Sequence, residues 1–308
     1  MEGFRVTGAN VSRREFLGGG AAALAFDGCA AAAKPGAPRG DPFERVALGV
    51  TGIVTTRLGF GTGINGWNRS SAIVRNHGAG GAAKIIRGAY DRGVRFFDAA
   101  DAYGTHAALR DGLKGVPRGG YVLATKCALY GGVPADDLKQ GAGEAVDRFL
   151  RELGTDYIDI VQLHCLTDAA WPRKLEAQME ALEKAKKAGK IRAHGCSFHS
   201  LPALKAAAAT PWLDVAHVRI NPFGRNMDGK PEEVMPVLKR LHSQGRGVIG
   251  MKILGEGAFA KDPAKVARSI AYAVDSGAVD VLNVGFASLA ELDEMISRMR
   301  GRGAAAAG

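Results

Sequence analysis

The chemistry of this sequence rests on four side chains: Asp98 and Tyr103 in Phe97-Asp-Ala-Ala-Asp-Ala-Tyr103, Lys126 at the end of Ala124-Thr-Lys126, and His164 at the end of Gln162-Leu-His164. Reduction of a carbonyl by hydride from a nicotinamide needs a proton donor for the developing alkoxide. A phenol of pKa about 10 releases its proton poorly at neutral pH. An ammonium beside it favours the phenolate, so Lys126 is expected to lower the pKa of Tyr103. Asp98 would hold that lysine charged and oriented, and His164 would donate a hydrogen bond to the carbonyl oxygen.

These residues need elements that bring them to one place. From about residue 57 the chain alternates β-rich runs with amphipathic stretches, the pattern of parallel βα units. Eight strands are expected: Arg57 to Thr62, Val94 to Ala100, Tyr121 to Cys127, Ile158 to Cys165, Ile191 to Phe198, Val215 to Asn221, Val248 to Leu254 and Val279 to Phe286. The period of two puts Val122, Ala124 and Lys126 on one face, and likewise Ile158, Ile160, Gln162 and His164. Pro172 to Lys190 reads as a helix, with Leu175, Met179, Leu182 and Ala185 at helical spacing. Gly93, Gly154, Gly189, Gly245 and Gly277 each stand where a helix ends before a strand, a position suited to a left-handed turn. Eight such units close as a (β/α)8 TIM barrel of the α/β class, with Val46 to Thr56 as a β-hairpin across its closed end. A doubly wound sheet is the rival. It would bring Gly-x-Gly-x-x-Gly after the first strand, and Gly59-Phe-Gly-Thr-Gly63 lacks that spacing.

Active sites of such barrels lie at the C-terminal ends of the strands, where all four side chains fall. Each alone has a plainer reading: an exposed lysine, a core histidine, a turn-capping aspartate. Four at four strand ends favour the joint reading. Cys127 and Cys165 each follow an inward residue and are expected to face the helix layer as buried thiols, and with Cys196 they encode neither a disulfide framework nor a metal site. Trp67 and Trp171 fall on rim loops, where pocket lining is slightly favoured over covering the barrel edge.

The chain has 308 residues, 46% hydrophobic and 23% charged, with a formal net charge of +10. This suits one large core. The basic residues alternate with acids and form no dense run, which argues against nucleic acid. Residues 1–33 differ in kind: Ser12-Arg13-Arg14-Glu15-Phe16-Leu17 precedes a Gly/Ala stretch and Cys29-Ala-Ala-Ala-Ala33. This resembles a twin-arginine signal peptide and implies export through the Tat machinery to the periplasm, a cytoplasmic location being the alternative. Asp27 interrupts the apolar run, so no stable membrane anchor is expected. The expected organisation is leader 1–33, linker 34–43, barrel 44–300 and flexible tail 301–308. Oligomeric state is not readable.

From about Leu48 to Arg300 the chain resembles the aldo-keto reductase family. The resemblance rests on Leu48-Gly-Val-Thr-Gly52, Leu58-Gly-Phe-Gly-Thr62, the segment Phe97 to Gly104, Thr125-Lys126, Leu153-Gly-Thr-Asp-Tyr-Ile-Asp159, Gln162-Leu163-His164, Gly195-Cys-Ser197, and Gly285 with Glu291-Leu292. It implies a tetrad of Asp98, Tyr103, Lys126 and His164, an NADP or NAD cofactor, and a small carbonyl or alcohol substrate. Cofactor contacts are implied at Gly61, Thr62, Ser197, His217, Lys252, Leu254, Gly255, Gly285 and Ser288, and no metal. Departures stand beside these: Phe198 follows Ser197 where the family has Asn, His217 replaces Gln, Ala287 stands where a basic residue usually meets the 2′-phosphate, and Met295 replaces the Asn that serves the adenine. Preference between NADP and NAD is therefore open. No long loop follows Arg300, so substrate identity is not readable. Two rival functions remain: Schiff-base chemistry at Lys126 or Lys252, and a non-catalytic or regulatory cofactor-binding barrel.

Overall fold

The structure is a computed structural model that describes residues 40–305, so the leader 1–33 and most of the linker lie outside the described residues. A two-stranded antiparallel hairpin, β1 (Arg45–Ala47) and β2 (Val54–Thr56), comes first. Eight parallel strands follow: β3 (Leu58–Gly61), β4 (Phe96–Asp98), β5 (Val122–Cys127), β6 (Ile158–Leu166), β7 (Ile191–Phe198), β8 (Val215–Arg219), β9 (Gly247–Met251) and β10 (Val281–Gly285). They close in chain order, β10 pairing with both β9 and β3. All eight expected strands are present, six within their expected spans, while β6 runs one residue past Cys165 and β9 starts one residue before Val248. The helices are α1 (Ala72–Asp91), α2 (His106–Gly112), α3 (Ala135–Leu138), α4 (Ala142–Leu153), α5 (Trp171–Lys174), α6 (Glu176–Lys187), α7 (Leu201–Ala207), α8 (Pro231–Ser243), α9 (Pro263–Asp275) and α10 (Leu289–Ala305).

Two apolar layers follow from strand alternation. Outward residues such as Phe97, Leu123, Val161 and Val248 pack with Ile86, Phe149, Leu182 and Ile270 of the helices. Inward residues Phe96, Val122, Ala124, Ile160, Ala193, Val215, Ile249 and Val281 fill the barrel with Leu48 and Ile53 from the hairpin turn. Leu48 and Ile53 are fully buried, which contributes about 1.5 to 3 kcal/mol each. The hairpin thus plugs the N-terminal end. Its turn sits against the β9 entry, where a Cβ on Gly49 would lie 2.2 Å from the Gly245 carbonyl. The opposite, C-terminal mouth is left for chemistry.

The five glycines expected at helix ends all have positive φ. Two expectations are corrected. The helix expected over Pro172 to Lys190 breaks at Leu175 (φ −113, ψ 20), which separates α5 from α6. The helix α10 runs on to Ala305, past the Arg300 expected to end the barrel. Trp171 lines no pocket: it is 1% exposed, donates its indole N–H to the Ala203 carbonyl at 3.1 Å and packs against Phe198. Trp67 stays 49% exposed at the rim. Among the described residues no helix is long and apolar enough to cross a membrane.

Candidate active site

Lys126 reaches the mouth from β5 and is fully buried there. Its ammonium donates to Asp98 Oδ1 on β4 and to the Ala99 carbonyl at 2.8 Å. The second carboxylate oxygen of Asp98 accepts from Asn283 Nδ2 of β10 at 2.9 Å. Burial raises the Asp98 pKa, and Lys126 and Asn283 work against it. Burial likewise lowers the Lys126 pKa, opposed chiefly by Asp98. Each charge of this pair depends on the other.

Tyr103 ends a short 3₁₀ turn, Asp101 to Tyr103, that follows β4. That turn is tied down on two sides: Asp101 receives Arg148 of α4 at 2.5 Å and Arg69 at 2.8 Å, and the Arg69 amide donates to the Ala102 carbonyl at 2.8 Å. The ring lies against Gly63 and Gly66, where an added Cβ would come within 2.3 and 2.7 Å of it. The Lys126 ammonium sits 5.3 Å from the Tyr103 ring centre, and the His164 ring meets it edge-on at 5.6 Å. The structure therefore gathers Asp98, Tyr103, Lys126 and His164.

The expected sign for Tyr103 is reversed. Burial pushes its pKa well above 10, and Asp98 and then Cys165 add to this. The Lys126 charge is already spent on Asp98 in the contact pair, so desolvation prevails. His164 goes the other way: burial holds it well below the usual histidine range, with Lys126, His199 and Lys252 adding to the effect. It is a neutral imidazole with an N–H to give.

The residues implied for a cofactor fall into three groups. Gly61 and His217 surround Asn283: a Cβ on Gly61 would lie 2.9 Å from Asn283 Oδ1, and His217 Nε2 is 3.1 Å from Asn283 Nδ2. Ser197, beside His217 across the β7/β8 pair, accepts from the Cys165 amide at 2.9 Å. Thr62 is fully buried, its hydroxyl donating to the Asp98 carbonyl at 2.9 Å and sharing a bond at 2.7 Å with Thr105, which precedes α2. Beyond β9, Lys252 pairs with Glu256, and Lys252, Gly255, Glu256 and Gly257 all have left-handed backbone, with Leu254 half-buried between them. A non-glycine residue in that region costs on the order of 1 kcal/mol or more, a strain that clusters at ligand sites. At the start of α10, Gly285 is exposed, the Ser288 hydroxyl accepts from the Glu291 amide at 3.3 Å, and the Ala287 amide donates to the Glu291 carboxylate at 2.7 Å.

Cys165 does not face the helix layer. The β6/β7 register shifts between Leu163 and Leu166, Cys165 takes φ +62, and its Sγ comes within 3.7 Å of His199 Nε2 beside the tetrad. Strict alternation assumes an unbroken ladder, which the bulge removes. Cys127 and Cys196 are buried as expected. Asn283 was missed, although Val281, Asn283 and Gly285 share the inward parity of β10, and a polar residue on that face was the available signal.

A closed parallel barrel thus gathers an ion-paired lysine, a tyrosine and a histidine at its C-terminal mouth. The chain belongs to the aldo/keto reductase family, which it matches over residues 57–269. It is 28% identical over 226 residues to L-galactose dehydrogenase of Arabidopsis thaliana, covering 70% of this chain and 66% of that one. It is 31% identical over 208 residues to the aldo-keto reductase YhdN of Bacillus subtilis, covering 64% and 58%. The chain thus spans less than two thirds of the length of these relatives. In fold it is similar to an aldo-keto reductase from Bacillus halodurans in its holo form, with a TM-score of 0.67, 21% identity, and coverage of 83% and 90%.

Proposed function

We propose that this protein is a nicotinamide-dependent oxidoreductase that interconverts a carbonyl and an alcohol, with Tyr103 as acid/base. The observation that carries the reading is the buried Lys126–Asp98 pair set under the face of a protonated Tyr103, with neutral His164 at its edge. In the reductive direction Tyr103 gives its proton to the carbonyl oxygen as negative charge develops there. His164 donates a hydrogen bond to the same oxygen. Lys126 stabilises the phenolate that remains, and Asp98 keeps Lys126 charged. The residues that would hold an anionic dinucleotide are Ser197 on β7, Lys252 beyond β9 and Ser288 before the long helix α10, with Lys252 exchanging its Glu256 partner for the nucleotide. When bound, NADPH or NADH supplies the hydride.

The rival reading of Lys126 as an amine nucleophile conflicts with its bonds to Asp98 and the Ala99 carbonyl, both of which favour the ammonium form. Lys252 is similarly occupied by Glu256. The test is Tyr103→Phe, measured with a carbonyl panel and by nucleotide fluorescence. Turnover should be lost and nucleotide binding retained. Full activity in that variant would sink the mechanism, and tight nucleotide binding by the natural protein with no turnover on any carbonyl would favour a regulatory barrel.

The Ser12-Arg13-Arg14-Glu15-Phe16-Leu17 segment supports export by the Tat machinery with the nucleotide already bound, since bound ligand stabilises the folded state before transport. The exported protein is expected to retain nucleotide after extensive dialysis. An empty mature protein, or an unchanged location after Arg13→Lys with Arg14→Lys, contradicts this.

A further inference from the structure

The tetrad accounts for one oxygen of the Asp98 carboxylate. The other is held by Asn283, whose Nδ2 lies 2.9 Å from Asp98 Oδ2 and 3.1 Å from His217 Nε2. An ionised carboxylate only accepts, so Asn283 presents its nitrogen, and the two hydrogens of that nitrogen serve both contacts. His217 Nε2 is then an acceptor and its proton sits on Nδ1, which donates to Gln162 Oε1 at 3.2 Å. Burial, Lys126 and neighbouring histidines hold His217 well below the usual range, in keeping with a neutral ring. Gln162, His217, Asn283, Asp98 and Lys126 form one buried string across β6, β8, β10, β4 and β5.

Packing alone does not explain an asparagine there. Val281, the inward residue before it on β10, is apolar, and Asn283 Oδ1 is left buried with no hydrogen-bond partner. An aliphatic residue would avoid that orphan carbonyl. What an aliphatic residue would not supply is the donor to Asp98.

We propose that Asn283 is a positioning residue for the reaction: it holds the Asp98 carboxylate ionised and aimed at Lys126, and His217 fixes Asn283 by accepting its second hydrogen. Without that donor Asp98 protonates at higher pH, Lys126 loses its counter-charge inside the barrel, and the charge beneath Tyr103 disappears. The kinetic arm rests on the carbonyl–alcohol reading. A second arm is independent of it.

The experiment compares Asn283→Leu, Asn283→Ala, His217→Gln and His217→Leu with the natural protein. The first readout is the pH titration of Lys126 by NMR with ¹³Cε-labelled lysine and no substrate. The second is the pH profile of kcat. Loss of a hydrogen bond to a charged group is expected to shift the ionisation equilibrium of the pair about ten- to a hundredfold in Asn283→Leu. The acid limb of kcat should rise by the corresponding one to two pH units, with the nucleotide KM nearly unchanged. His217→Gln keeps an acceptor for Asn283 and should titrate like the natural protein, whereas His217→Leu should shift in the same direction as Asn283→Leu. An unshifted Lys126 titration and acid limb in folded Asn283→Leu overturns the proposal, even if activity falls. Should that variant fail to fold, Asn283→Ala, which also lacks the donor, decides by the same readouts. Should no carbonyl be turned over, the lysine titration decides alone, and only the functional reading fails.

Discussion

The Lys126 ammonium lies 5.3 Å from the centre of the Tyr103 ring, over its face, while its hydrogen bonds go to Asp98 and the Ala99 carbonyl. The cation supports the phenolate once it forms without ionising the phenol beforehand. In the proposed mechanism Tyr103 is the proton donor, and its pKa is held well above 10 first by burial and then by Asp98. Reduction uses the protonated form, so above its acid limb kcat should be flat through neutral pH, with the alkaline fall coming above about pH 10. Oxidation uses the phenolate, so its kcat should climb with pH across the same range. Steady-state profiles in both directions check this, and a reductive limb falling near pH 7 would contradict it.

The ion pair is expected to cost stability and return function. Lys126→Met leaves the Asp98 carboxylate buried with no charge partner, a loss of about 3 to 5 kcal/mol in urea unfolding. Asp98→Leu with Lys126→Met removes both charges and should recover most of that loss while remaining inactive. The single variant also carries a pH signature. With Lys126 gone, burial raises the Asp98 pKa further above its unfolded value of about 3.9. A raised carboxyl contributes stability that is present below the unfolded value and lost as pH rises through the folded one. The deficit of Lys126→Met should therefore be smallest near pH 4 and grow toward neutrality.

Gly63→Ala tests how closely the phenol is held. A Cβ there would fall 2.3 Å from Tyr103 Cε2, so the ring must move. A displacement near 1 Å costs about a hundredfold in rate. The expected result is a kcat reduced on that order with the fold intact, whereas Gly80→Ala, with open space around it, should leave kcat unchanged.

Nucleotide preference is open to test at the start of α10. Ala287 offers no cation, and its amide is bonded at 2.7 Å to the Glu291 carboxylate. A 2′-phosphate placed there would meet negative charge, so NADH should be used at least as well as NADPH. Ala287→Arg should improve the NADPH to NADH ratio of kcat/KM by about tenfold or more, the scale of a charge-assisted pair. An unchanged ratio would place the 2′ position elsewhere.

The eight strands, their order and the inward parity of Lys126 and His164 were legible because each depends on local periodicity and on turn glycines, which neighbours in sequence express. The gathering of Asp98, Tyr103, Lys126 and His164 at one mouth followed from parity and strand ends alone. Cys165 was misread because a bulge is a tertiary accommodation with no period. Trp171 was misplaced because its loop folds inward onto α7.

By itself, then, the sequence determined the barrel, its closed and open ends and the four residues at the open end, all consequences of side-chain alternation and helix-ending glycines. Only the tertiary structure decided the protonation of Tyr103, the commitment of Lys126 to Asp98, and the place of Asn283 beside them. Those depend on burial and on contacts between β4, β5 and β10, strands separated by up to 185 residues between Asp98 and Asn283. Desolvation and hydrogen bonding act through space, and no window along the chain contains them.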